Sequence, residues 1–105
     1  MNIEKYLPLT ETTFYILMAL LEPGHGYVVM QRVEQMSAGH VRTAAGTMYG
    51  ALDNLSKQKL IEAVPSDDPR RKNYQTTDKG HNVLRLESKR LEQMLVVLHE
   101  QKGKL

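Results

Sequence analysis

The sequence predicts a mainly α-helical protein with one small β-hairpin, and three stretches carry that prediction. Met48, Leu52 and Leu55 follow the i, i+4, i+7 spacing that lines one face of a helix and hands it to a core. Leu60 to Val64 and Asn73 to Thr76 read as short strands. The first is largely aliphatic and closed by Pro65; the second is reached through Ser66, Asp67, Asp68 and Pro69, whose Asx and proline chemistry suits a tight connection. Leu84, Leu91 and Leu98 recur every seven residues along a long terminal segment, the mark of a helix with its own apolar seam.

A chain of 105 residues with 41% hydrophobic content supports one domain and a core of modest size. The longest apolar run, Phe14 to Leu21, falls short of the roughly 18 residues a membrane span needs. No membrane association is expected. The first residues lack the basic region and apolar core of a signal peptide, and there is no cysteine to cross-link, so the expected address is the cytoplasm. A net charge of +2 does not by itself argue for nucleic acid.

In chain order, Pro8 and Thr10 open a first helix, with the Thr10 hydroxyl as its cap. Phe14, Leu17, Met18 and Leu21 form its stripe, yet Tyr15, Ile16, Ala19 and Leu20 leave the other side apolar too. Such a helix needs covering all round, which one small domain rarely supplies, so a second copy of the chain is expected over it. Glu22, Pro23 and Gly24 end it. A second helix runs from about Gly26 to Met36, with Val29, Val33 and Met36 inward and Gln31, Arg32, Glu34 and Gln35 outward. Ser37 to His40 breaks the pattern, and Val41 to Ala45 leads into the third helix.

The free face of that third helix carries Thr47, Gly50, Asn54 and Lys57, small or polar groups compatible with a DNA groove. At the hairpin tip stand Arg70, Arg71 and Lys72, whose guanidinium forks and ammonium suit phosphates. Taken alone, the same triplet is equally an ordinary solvated turn, neutralised by Asp67 and Asp68. Three helices and a hairpin make the winged variant of helix-turn-helix. Residues 1–77 form that unit and 78–105 a C-terminal dimerisation helix and tail, the two packing as one compact body. The last helix begins at a Thr77 cap, with Asp78 complementing the dipole, and continues to about Gln101. Its seam, joined by Met94 and Leu95, is interrupted by Glu87 and is too short for an extended coiled coil. Packing against a partner's first and last helices is expected through Phe14, Leu17, Met18, Leu84, Leu91, Met94, Leu95 and Leu98.

His25, Gly26 and Tyr27, then Gly46, Thr47, Met48 and Tyr49 with Leu52 and Leu55, then Leu60 and Ile61, then Arg71, Lys72, Tyr74, Thr77 and Gly80, stand in an order and spacing that resembles the PadR family of bacterial transcription regulators. The resemblance covers about Leu9 to Met94, in the short form with one terminal dimerisation helix. It implies a homodimer, usually a repressor, on a pseudo-palindromic operator. The helix holding Thr47 and Tyr49 would enter the major groove while the wing holding Arg70, Arg71 and Lys72 follows the backbone. Tyr27 and Tyr49 match family tyrosines near the DNA, although each also reads as a core aromatic with its hydroxyl at the rim, and for Tyr27 the core reading is preferred. Departures from the family pattern fall at Lys59, where a glycine commonly ends the helix and a differently shaped turn is expected, at Asp53, at Gly50 in place of a proline, and at Asn73 and Thr76 in the wing.

The residues assign phosphate contacts to Arg70, Arg71, Lys72 and the amides near Gly46 and Thr47, and base reading to Thr47, Asn54 and Lys57. Some relatives stack flat aromatic compounds between tryptophans at the dimer centre. This chain has no tryptophan. An apolar cleft between Phe14, Met18 and Leu91 is the remaining place for a small hydrophobic effector, and dimer core is the ordinary reading of the same residues. No catalytic, cofactor or metal constellation is expected: His25, His40, His81 and His99 are scattered, and neither an HExxH pattern nor a glycine-rich phosphate loop occurs. The competing reading from another class is a winged-helix protein-interaction module without sequence-specific DNA binding, to which Asp53, Asp67 and Asp68 lend weight.

Overall fold

A computed structural model describes residues 2–105. A single 3-10 turn, Glu4–Tyr6, precedes helix α1, Glu11–Ala19, which is followed by α2, Gly26–Met36, and α3, Ala45–Lys57. Strands β1, Ile61–Val64, and β2, Asn73–Thr76, then form an antiparallel hairpin with Ile61 opposite Thr76 and Val64 opposite Asn73. Helix α4, Asp78–Gln101, closes the chain with a short 3-10 turn after it. The winged helix-turn-helix class predicted from sequence is the fold observed.

Local chemistry accounts for the boundaries. Thr10 caps α1 by accepting from the Thr13 amide at 3.1 Å, and Thr77 caps α4 by accepting from the Gly80 amide at 3.1 Å. Helix α3 ends in a Schellman arrangement in which the Leu60 amide donates to the Leu55 carbonyl and the Lys59 amide to that of Ser56. Lys59 takes the left-handed position there, with φ of 62°. The expectation that a lysine would reshape this turn is therefore wrong: three hydrogen bonds, the two above and that from Thr77 Oγ1 to the Lys59 carbonyl at 2.7 Å, hold the lysine where glycine is easier.

The core gathers Ile16, Leu17 and Leu20 of α1, Val29 and Val33 of α2, Met48, Leu52 and Leu55 of α3, then Leu60, Ile61 and Val83. Leu17 and Leu84 were expected at a dimer interface. Both are buried inside the subunit, Leu17 completely, because they sit on the sides of α1 and α4 that meet the rest of the domain. Met36, expected inward, is exposed, since α2 turns away from the core after Val33 and it is Ser37 that is buried, donating to carbonyls and accepting the Val41 amide at 2.9 Å. Arg32, expected on the solvent face, bridges instead the carbonyls of Ala19 at 3.0 Å, Glu22 at 3.0 Å and Pro23 at 3.1 Å, which the end of α1 leaves without helical partners.

The wing is fastened to the body along β2. Gly24 and Tyr74 exchange two backbone hydrogen bonds of 3.1 and 2.9 Å, Thr76 donates its amide to the Leu20 carbonyl and its hydroxyl to the Leu17 carbonyl, each at 2.8 Å. The buried hydroxyl of Thr76 thus substitutes for an apolar wing residue by satisfying the last turn of α1. Gly80 lets α4 cross beneath: a Cβ there would sit against the Leu60 carbonyl oxygen and 2.6 Å from Thr76 Cγ2. Among the described residues no helix is long and apolar enough to cross a membrane.

Candidate nucleic-acid interface

The start of α2, the first turns of α3 and the tip of the wing converge on one open cleft of about 510 Å³, lined by His25, Gly26, Tyr27, Tyr49, Arg70, Arg71, Lys72 and Tyr74. The approach of α3 to α2 depends on Gly26. A Cβ there would lie 2.6 Å from Tyr49 Cε1, so the tyrosine ring covers the bare backbone that opens α2. Tyr27 is 61% exposed and Tyr49 56% exposed, with their neighbours in the cleft rather than in the core. The preferred core reading of Tyr27 is overturned: α2 turns its second residue outward because Gly26, Val29 and Val33 occupy the inward face.

Both helix starts present free amides. Neither His25 before α2 nor Ala44 before α3 makes a side-chain cap, so first-turn N–H groups near Gly26 and Gly46 stay open to an acceptor from outside. Gly46 and Gly50 have open space around them, and Thr47 is exposed.

Charge at the wing tip is organised by Asp68. Its carboxylate accepts from the Arg70 amide at 2.9 Å and from the Arg70 guanidinium at 3.2 and 3.4 Å, and Arg71 Nε lies 3.8 Å away. The Arg70 amide bond, then the Arg70 side chain, hold the Asp68 carboxyl below the usual carboxylate range. Arg71 also donates to His25 Nε2 at 3.3 Å, across 46 residues of sequence. Lys72 makes no ion pair among the described residues.

The structure therefore brings together Tyr27, Tyr49, Arg70, Arg71 and Lys72, with Gly46 and Thr47 at the adjoining helix start. Asn54 and Lys57 lie elsewhere. The Asn54 side chain accepts from Gln58 at 3.3 Å and borders a separate hollow beside Tyr6 and Thr10, while Lys57 pairs with Asp53 at 3.1 Å. Sequence reasoning did not single out His25 for this cleft, nor the structural part played by Arg32. The signal for His25 was present: a histidine between two glycines marks a place where backbone is approached closely on both sides.

Three helices, an antiparallel wing and a cleft between wing and third helix define a winged helix-turn-helix protein. The model of the transcriptional regulator PadR-like family matches residues 16–86, well over half of the chain. The protein belongs to that family, whose members are transcriptional regulators and not enzymes. Among solved structures it is similar to a PadR family regulator from Eggerthella lenta, at 29% identity and a TM-score of 0.61, over 89% of this chain and 80% of that one. A PadR family regulator from hypervirulent Clostridium difficile shares the fold at 23% identity and a TM-score of 0.64, over 83% and 95%. RosR of H. salinarum does so at 20% identity and a TM-score of 0.67, over 95% and 99%. Comparison with curated protein sequences gives no match.

Proposed function

We propose that the chain is a cytoplasmic homodimeric repressor that binds a pseudo-palindromic DNA operator and acts by occupancy, excluding polymerase without chemistry on the DNA. The observation that carries this reading is the meeting, in one exposed cleft, of the wing cations Arg70, Arg71 and Lys72 with Tyr27, Tyr49 and the uncapped starts of α2 and α3. Cations and free amides suit phosphates, which set position; the exposed Thr47 at the tip of α3 suits base edges in the major groove. Asn54 and Lys57, lying further along α3, take a lesser share than their residue types alone imply.

Dimerisation is supported by α4. Met94, Leu95, Val96, Val97 and Leu98 are all about half exposed, a density of apolar surface that a monomer does not leave to water. Phe14, Met18 and Leu91, the other residues the sequence assigns to the seam, are half-buried. Leu9, Phe14, Tyr15 and Leu91 also border an apolar hollow of about 290 Å³ between α1 and α4, with Glu87 and Arg90 at its polar end. A small hydrophobic effector bound there would act on the dimer seam.

The test is titration of the purified protein against DNA from upstream of its own gene and against unrelated DNA at several salt concentrations. Saturable binding that prefers one DNA and weakens steeply with salt is expected. Absence of binding to either, and failure to select any sequence from a random library, would replace this reading with that of a protein-interaction module.

A further inference from the structure

We infer that His25 is a positioning residue for DNA binding, which holds the Arg71 guanidinium at the phosphate-facing surface by accepting its hydrogen bond; this rests on the DNA-binding reading above. Arg71 lies in the loop between β1 and β2, at 65–72, the longest irregular stretch of the wing. Within that loop Asp68 pairs with both arginines, lying 3.2 Å from Arg70 Nε and 3.8 Å from Arg71 Nε. Among the described residues, one side-chain hydrogen bond ties the loop to the body of the domain, that from Arg71 Nη1 to His25 Nε2 at 3.3 Å.

His25 is well placed to act as an anchor. The residue before it, Gly24, is locked to Tyr74 of β2 by two backbone hydrogen bonds, and its own carbonyl accepts the Val29 amide at 3.0 Å to start α2. Backbone on both sides of the imidazole is thus immobilised, and Gly26 behind it is covered by Tyr49. The ring itself makes no cap bond, so its nitrogens are free for other work. An acceptor nitrogen on a rigid element fixes one of the five guanidinium donors and leaves the rest of the fork for an outside anion. His25 accepts from Nη1 while Asp68 stands 3.8 Å from Nε as a looser ion pair, so the remaining N–H groups of Arg71 are aimed rather than free to sweep through solvent. Ordering the side chain before DNA arrives removes rotamer entropy that binding otherwise has to overcome.

The experiment is a double-mutant cycle on the full chain. His25→Ala, Arg71→Ala, the double variant and His25→Gln are each titrated by fluorescence anisotropy with one upstream duplex at several salt concentrations, after thermal melting shows that all are folded. Each alanine variant is expected to lose affinity by roughly three- to tenfold, and the double variant no more than Arg71→Ala alone. Arg71→Ala is expected to flatten the salt slope by about 0.9, as loss of one phosphate contact does. His25→Gln, whose amide oxygen accepts the same hydrogen bond, is expected to retain most of the affinity. Losses that multiply in the double variant, or a glutamine variant no better than alanine, would overturn the coupling while leaving DNA binding intact. A wild-type chain that binds no duplex would overturn both readings together.

Discussion

The carboxylate of Glu87 accepts the backbone amide of Leu9 at 2.8 Å, joining the segment ahead of α1 to the middle of α4 across 78 residues of sequence. Its other partner is the Arg90 guanidinium, one turn further along the same helix. Only 1% of Glu87 is exposed, so this carboxylate is a core residue and its hydrogen bonds are what make its burial tolerable.

Stability should therefore fall in acid through this group. The hydrogen bond from Arg90, with lesser help from the Leu9 amide, holds the Glu87 carboxyl below its ordinary range, against the opposing effect of burial. A folded-state value lower than the unfolded one means that the contribution is complete above the ordinary Glu pKa of about 4.3 and disappears as pH falls through the lower folded value. Urea denaturation of wild type and Glu87→Gln at pH 7 should differ by about 1–2 kcal/mol, because glutamine keeps an acceptor but not the charge. The difference should shrink below pH 4. An equal difference at every pH would remove the ion pair as its cause.

Lys59→Gly should stabilise the protein. Lys59 is exposed and held at φ of 62°, a conformation that costs an L-residue about 1 kcal/mol or more and glycine almost nothing. Offset by glycine's greater freedom in the unfolded chain, a net gain of about 0.5 kcal/mol is expected in chemical denaturation. Gly80→Ala should do the opposite, with a loss of about 2 kcal/mol or more, since the added methyl meets the Leu60 carbonyl, which cannot move aside cheaply.

Asp68→Asn should tighten binding to DNA of any sequence. The asparagine retains an acceptor for the Arg70 amide but removes a negative charge from between two wing arginines. A gain of about two- to fivefold at low salt is expected, fading as salt screens the charges. Weaker binding would mean that the carboxylate chiefly orders the wing.

Leu95→Glu combined with Leu98→Glu should convert the protein to a folded monomer. Both side chains are about half exposed on α4 and contribute nothing to the subunit's own core, so far-ultraviolet circular dichroism should change little while sedimentation velocity reports half the mass. Operator affinity should collapse with it, because each half-site would then be bound alone. A double variant that still sediments as the wild type does would place the subunit contact elsewhere.

The helices, both strands and the terminal helix were legible because their signals are local. Thr10 and Thr77 cap where hydroxyls before a polar first turn suggest, and Met48, Leu52 and Leu55 face inward as their spacing requires. Errors arose where periodicity had to choose between two apolar faces of one helix. Leu17 looks like Met18 to any window of sequence, yet one is fully buried in the subunit and the other lies at its edge. The interruption at Glu87 looked like a break in a seam because a carboxylate is expected in water; its partners, Leu9 and Arg90, become visible only when the chain is folded.

The sequence by itself thus determined the order of elements, the fold class, the family and the presence of a basic wing tip, all of which follow from residue type, spacing and caps acting over a few residues. Tertiary structure alone decided that Tyr27 faces outward, that Arg32 serves the end of α1, that Lys59 holds a glycine-like turn, and that His25 meets Arg71. Each of those depends on two segments far apart in the chain arriving within a few ångströms of each other, an outcome set by the packing of the whole core and encoded in no single stretch of it.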